Sequence, residues 1–380
     1  MTVAPFGVGT HEDVPAVDAP RHAALAGQRQ VAVVGIDRVA PKNLVQFEAM
    51  AARGVAYDVF ATGANPYEAV CVPAPGSHTV LPAGATARLR VLWRYFRAHA
   101  QTLHHVEVYP GGRFAAAYVE LARAFGVPVL VVERGDLVNF GRAGRLLRAS
   151  MVRAYRRATC VWYREPYQER ALQAIGVDRM AFLGNAVRAP ERTPRARARD
   201  IEFLWVNRLV AERKAGWLVD ALADPALAGA RAVVAGLLDP PTDAGVAANQ
   251  AYVRAHAPAG LELLPYGAPE ELYRRAQFFV LPSDIVYCNN ALLEAMARGV
   301  VPLVSDVEGA RLIVEDGVDG FVFPHSPAGL RAALRRARAL PPTLHAQMAA
   351  RAQDTVRHRF SDAAWAERLT AIYAQLRAPG

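Results

Sequence analysis

With 380 residues, 53% of them hydrophobic and 21% charged, and a mean hydropathy of +0.08, the chain is long enough for about two domains and too apolar for intrinsic disorder. Its apolar runs, such as 127–132, are strand-sized and far short of the roughly 20 residues of a membrane-spanning helix, and positions 1–29 lack the basic leader and apolar stretch of a secretory signal. Forty-four basic against 35 acidic residues leave a charge of +9 and a pI near 9.7, which favours an anionic partner: nucleic acid, a membrane surface or a phosphorylated small molecule.

In chain order, strands are predicted at 30–36, 57–61, 105–109, 127–132, 159–163 and 180–183, separated by helical patterns such as 43–52. The stretch 188–200 (RAPERTPRARARD), with two prolines and five arginines, breaks the pattern and reads as a linker. Beyond it strands are predicted at 202–206, 231–235, 261–264, 278–281, 301–304 and 321–323, and helices at 216–222, 269–276, 290–298 and 328–339. Alternating β and α elements predict an α/β chain of two doubly wound, Rossmann-like domains. Their limits are expected at 29–189 and 190–361, after a flexible segment 1–28.

Cys71, Cys160 and Cys288 are odd in number and widely spaced, which argues against a disulfide framework or a Cys-based zinc site and for a cytoplasmic location. His104 and His105 have no third ligand at suitable spacing, so no metal is expected.

Ligands of open α/β sheets bind beyond the carboxyl ends of the strands, which singles out two loops. In 282–298 (PSDIVYCNNALLEAMAR) a strand leads through a polar turn into a helix starting near Asn290, whose free N–H groups and dipole suit a phosphate. Glu294, one turn in, either accepts hydrogen bonds from sugar hydroxyls or is a solvated acid, and Asn289 or Asn290 caps the helix in either case. In 207–216 (NRLVAERKAG), Arg208, Arg213 and Lys214 either neutralise a diphosphate or are surface cations. Lys214 is one of only two lysines, with Lys42, in a chain that otherwise uses arginine, which hints at a need for a compact point charge.

These segments resemble, in order, the donor domain of family 4 glycosyltransferases of the GT-B fold. The matching stretches are Asn207-Arg208-Leu209 with Lys214, ELYRRAQFFVLPS ending at Ser283, LLEAMARG at 292–299 followed by Pro302, EDGVDGF at 315–321, and RFS at 359–361 introducing a helix, 362–380, that in such proteins returns to the first domain. The first half is less similar, mainly at 176–177 and 184–185. The resemblance implies a glycosyltransferase of the hexosyl type using a UDP- or GDP-sugar, with retention of configuration and with neither cofactor nor metal. Arg208 and Lys214 (Arg213 by ungapped register) would hold the diphosphate, backbone amides of Asn289, Asn290 and Ala291 would approach the phosphates, and Glu294 would bind the ribose. The first glutamate of the family's paired-glutamate motif is replaced by Val286; Asp284 is a candidate substitute, an unusual donor or an impaired transferase being the alternatives.

On the acceptor side, Lys42 either meets an anionic acceptor or is a surface charge, and in ERGD at 133–136, beyond a strand, Asp136 either orients the nucleophilic hydroxyl as a catalytic residue, with Arg134 binding the acceptor, or the two pair only to fix a loop; Glu107 and Tyr109 could also reach the cleft. The segment 142–157, with six arginines and no acid, either wets an ordinary helix or lies on an anionic inner-membrane face, as in similar transferases with lipid acceptors. Polysaccharide, glycolipid and natural-product glycoside synthesis all fit. The rivals are a nucleotide-binding scaffold derived from a transferase and a nucleotide-sugar epimerase of the same fold. Nucleic acid is not an expected partner, since no recognised module is present.

Overall fold

The computed structural model describes residues 29–39, 41–63, 76–135, 137, 140–141, 143–188, 190 and 199–377. The segment 1–28, Cys71, Asp136, Arg142 and most of the 188–200 break lie outside these, as does the side chain of Lys42.

Two parallel sheets carry the chain. The first contains β1 (Arg29–Ile36), β2 (Val55–Ala61), β3 (Ser77–Val80), β4 (Leu103–Val108), β5 (Val129–Val132), β6 (Cys160–Tyr163) and β7 (Met180–Phe182), in the order β3-β2-β1-β4-β5-β6-β7. The second contains β8 (Ile201–Val206), β9 (Ala232–Leu237), β10 (Leu261–Pro265), β11 (Ala276–Leu281), β12 (Val301–Ser305) and β13 (Phe321–Phe323), in the order β10-β9-β8-β11-β12-β13. Around the first lie α1 (Pro41–Ala51), α2 (Ala85–His99), α3 (Ala115–Ala124), α4 (Arg145–Arg157) and α5 (Pro166–Ala174). Around the second lie α6 (Ala215–Leu222), α7 (Ala244–His256), α8 (Glu270–Arg275), α9 (Asn290–Ala297), α10 (Pro327–Arg338) and α11 (Pro342–Arg359), and α12 (Asp362–Gln375) ends the fold.

The central strands are buried on both faces, which is why VLVV of β5 reads as a continuous apolar run rather than an alternating one. Three elements escape the sequence pattern. The edge strand β3 (SHTV) is mostly exposed and carries no apolar face. Helix α7 buries only Val246, Gln250 and Val253, and α11 buries a stripe of mainly small or polar side chains, His345, Met348, Ala349, Ala352 and Val356.

In both sheets the strand order reverses beside the first strand, between β1 and β4 and between β8 and β11. The ligand crevice of a doubly wound sheet opens there. Two glycines allow close approach at these points. A Cβ on Gly35 (φ +87°) would stand 2.4 Å from the Tyr109 carbonyl oxygen, and one on Gly236 (φ +138°) 1.7 Å from that of Asn207.

The chain crosses back at its end. Trp365, Leu369, Ile372 and Tyr373 of α12, with Leu376 just after it, pack in one cluster with Val31, Val33, Tyr57 and Trp162 of the first sheet, and Trp365 Nε1 donates to the Gly184 carbonyl at 2.9 Å. Nearby the two halves touch directly. Asn185 donates its backbone N–H to Cys288 Sγ (3.2 Å) and its side-chain Nδ2 to the Cys288 carbonyl (2.8 Å), and Phe182 stacks on Tyr287 at 5.4 Å. Among the described residues no helix is long and apolar enough to cross a membrane.

Candidate functional site

The two loops singled out in the sequence follow β8 and β11, the strands flanking the switch point of the second sheet. They are fastened to each other. Asp284 N and Ser283 Oγ both donate to the Glu212 carbonyl, at 2.9 and 3.0 Å. Arg213 Nη1 donates to Ser283 Oγ at 2.9 Å and to the Ile285 carbonyl at 2.6 Å. That guanidinium is a clamp between loops, and burial lowers its pKa. Of the two residues competing for the diphosphate, Lys214 is therefore the one with its charge turned to accessible groups.

Lys214 follows a short 3-10 turn, Ala211–Arg213, and caps α6 in the left-handed region at φ 48°, the single non-glycine residue with positive φ among those described. A lysine in this conformation is locally strained, and such strain persists where surrounding contacts enforce it. Its Nζ lies 3.0 Å from Asp284 Oδ2 and 5.8 Å from the Trp217 ring centre; His325 Nε2 meets the other Asp284 oxygen at 2.9 Å. His325 was not singled out in the sequence. It stands on the loop between β13 and α10, and only the fold brings it here. Arg208 is exposed at the tip of its loop, and among the described residues it makes no ion pair.

Asn289 caps α9, its Oδ1 accepting from Leu292 N at 3.0 Å, while its Nδ2 donates to Asn207 Oδ1 at 3.1 Å, tying the cap to the β8 loop. Ala291 is half-buried in the helix's first turn. Three buried polar atoms around this junction have no hydrogen-bond partner: Asn207 Nδ2, Asn290 Oδ1 and His325 Nδ1. Buried polar atoms are almost always paired, so a cluster of orphans at a switch point marks a place where a polar ligand fits.

Glu294 is not a solvated acid. It is half-buried on α9 and accepts from Tyr273 Oη at 3.1 Å; burial raises its pKa, with Tyr273 and Arg298 opposing. Tyr273, on α8, was not identified in the sequence as a site residue; it lies in the matched stretch, but its spacing from Glu294 carries no signal.

Val286 is fully buried in the core beside α9. At this position the chain presents an apolar anchor to its interior, and the accessible acid of the loop is Asp284, held between Lys214 and His325.

Across the seam the first sheet presents other residues. Arg134, after β5, donates to Gln46 Oε1 and Tyr109 Oη, both at 3.1 Å, with its guanidinium 4.4 Å from the Tyr109 ring centre. Glu133 points inward and is fully buried, accepting from Gly135 N (2.6 Å), Leu137 N (3.2 Å), Gln168 Nε2 (3.1 Å) and Tyr155 Oη, which shapes the ERGD turn. Glu107 does not reach the cleft. It is buried under α12, where it accepts from Tyr373 Oη at 2.5 Å beside His105. His104 and His105 belong to the same internal cluster, and burial drives the His104 pKa down to about 3.

Residues 200–339 match the family described as glycosyl transferases group 1, and residues 43–186 match the glycosyl transferase 4-like domain. No curated protein matches the sequence. Among solved structures, the sucrose-phosphate synthase of Thermosynechococcus elongatus superposes over 92% of this chain and 100% of its own, with a TM-score of 0.71 and 18% identity. Anabaena HepE, solved with UDP, matches over 91% of this chain and 100% of its own (TM-score 0.73, 16% identity). The lipopolysaccharide outer core galactosyltransferase WaaB covers 91% and 99% at a TM-score of 0.64 and 13% identity.

Proposed function

Starting from the chain's membership of the group 1 glycosyl transferases, with the GT-B fold, we propose that it moves a hexosyl group from a nucleoside-diphosphate sugar, UDP- or GDP-linked, to an acceptor hydroxyl with retention of anomeric configuration. The observation that carries this reading is the pair of fastened loops at the β8/β11 switch point, which gathers two cations, a capped helix start and three orphaned polar atoms in one place.

In this reading Arg208 and Lys214 neutralise the departing diphosphate, the amides of Asn290 and Ala291 at the start of α9 approach its oxygens, and Glu294 accepts from the ribose hydroxyls. Charge that develops on the leaving phosphate is met by fixed cations and dipoles that need no reorganisation. The leaving phosphate takes the acceptor proton. Arg134 meets the acceptor, and Asp136 and Lys42 are kept from the sequence as further acceptor-side candidates. Lys214 meets the donor already paired with Asp284, so donor binding exchanges one anionic partner for another. HepE has been solved with UDP-glucose, which supports UDP-glucose as the first donor to test.

The test is thermal stabilisation by UDP, GDP and their sugars. A ligand at 100 times its dissociation constant stabilises by about 2.7 kcal/mol, so a binder is visible. No shift with any nucleotide sinks the proposal. A nucleotide-binding role without transfer is the second reading, favoured by Val286 buried in the core; UDP binding without hydrolysis or transfer of UDP-glucose would select it.

A further inference from the structure

The first sheet carries a second cationic group that the donor site does not use. Arg164 leaves the end of β6 with its side chain buried, its guanidinium 4.9 Å over the Trp162 ring centre. Nη1 donates to Asn185 Oδ1 at 2.7 Å, and Nε and Nη2 have no hydrogen-bond partner. Arg134 ends β5 beside it and leaves its own Nε buried and unpartnered. Among the described residues, neither guanidinium has a carboxylate within ion-pair distance.

The neighbouring acids are otherwise engaged. Glu107 is bonded to Tyr373 and lies against His105. Glu165 caps α5 in a reciprocal box with Gln168, and burial pushes its carboxyl up to about 7. Arg164 itself is pushed down to about 9, first by burial and then by the charge of Arg134. Two like charges, the buried Arg164 and the half-buried Arg134, are thus held side by side with three guanidinium nitrogens open. Water could satisfy the N–H groups but brings no charge, and Glu107 and Glu165 act on Arg164 only from beyond ion-pair distance; an anion supplies both bond and charge.

The open atoms also have a shape. Nε and Nη2 form the side edge of the Arg164 guanidinium, which matches two oxygens of a carboxylate or phosphate. Asn185, the partner of Nη1, donates to the Cys288 carbonyl just before α9, so this edge belongs to the seam between the two sheets. A purely structural arginine bracing that seam would need only its Nη1.

We propose that Arg164 and Arg134 form an anion subsite, separate from the diphosphate site, that takes a phosphate or carboxylate carried by the acceptor or by the transferred sugar. The inference rests on the reading of the cleft as a donor and acceptor site, and its test separates the two. Inorganic phosphate is titrated calorimetrically into the full chain saturated with UDP, for the natural sequence and for Arg164→Gln and Arg134→Gln. Phosphate is expected to bind at least tenfold more tightly to the natural chain than to either variant, with UDP affinity within twofold throughout.

UDP-glucuronate against UDP-glucose then distinguishes the source. A tenfold preference for the glucuronate that disappears in Arg164→Gln assigns the anion to the transferred sugar. Equal affinities, with phosphate binding intact, assign it to the acceptor. Without ligand, Arg164→Gln is expected to melt at or above the natural chain, because an uncompensated buried charge is removed; if that variant does not fold, Arg134→Gln carries the titration. Phosphate and UDP-glucuronate binding unchanged in the variants overturns the proposal. If UDP binds no form, the donor reading falls, and the comparison of phosphate affinities still decides this one.

Discussion

Replacing Glu294 by alanine tests the nucleotide site at one atom group. Its carboxylate is half-buried and, among the described residues, accepts from one side-chain donor, Tyr273 Oη at 3.1 Å, leaving oxygen lone pairs for ribose hydroxyls. Hydrogen bonds to a charged acceptor contribute about 1.5 to 3 kcal/mol each, so losing one should weaken UDP binding by roughly 10- to 150-fold. The variant also strands Tyr273 Oη, a cost of about 1 to 3 kcal/mol to the fold that is separable because it appears without ligand. The assay is titration calorimetry with UDP and with 2′,3′-dideoxy-UDP on the natural chain, Glu294→Ala and Tyr273→Phe. The loss should be large for UDP and near zero for the dideoxy analogue, since the same interaction is then missing from both sides of the cycle. Equal losses with both nucleotides, or unchanged UDP affinity, would remove Glu294 from the ribose role.

Gly236→Ala should cost about 3 kcal/mol or more in urea denaturation, because its Cβ would stand 1.7 Å from the Asn207 carbonyl at a φ of +138° and must displace the Arg208 loop; a variant as stable as the natural chain would mean that loop yields freely. Glu165, pushed by burial from 4.5 to about 7, holds its proton more tightly folded than unfolded, so its contribution is full below about pH 4.5 and is lost as pH rises through 7, a span of about 3 kcal/mol. Glu165→Gln should flatten that part of the stability profile while keeping an acceptor for the α5 cap, and urea midpoints at pH 5 and pH 8 that fall in parallel for both proteins would contradict it. The outer face of α4 carries exposed Arg145, Arg148, Arg153 and Arg156 beside Leu146, which is 89% exposed, and this face is expected to bind vesicles rich in phosphatidylglycerol. At about 1 kcal/mol per arginine, Arg145→Glu with Arg156→Glu should lower co-sedimentation by more than tenfold in low salt; binding indifferent to the variant and to salt would refute it.

Much of the architecture was legible in the sequence because it is written in short-range pattern. Strands buried on both faces read as continuous apolar runs, so β1, β2, β8 and β11 could be placed to within a few residues, and with them the loops that follow. The helix start at Asn290 and the cap at Asn289 were legible for the same local reason. Edge strand β3, with no apolar face, and helices α7 and α11, with weak stripes, were not. The charge excess was a poor guide, because most arginines serve as clamps and surface ion pairs.

Residue type and spacing alone determined that Arg208, Lys214 and Glu294 stand just beyond two strand ends. Only tertiary structure decided what each of them meets. Arg213 turned out to be a brace and Lys214 a half-buried partner of the accessible Asp284, although they are neighbours in sequence, because the left-handed turn at Lys214 sends the two side chains to different places. Val286 is an interior anchor and Glu107 lies beneath α12, while His325, Tyr273 and Arg164 arrive from elements whose distance in sequence from the two loops gives no hint of proximity. Local pattern fixes where a strand ends; which side chains converge beyond it depends on how distant segments pack, and that is set by burial and pairing across the whole fold.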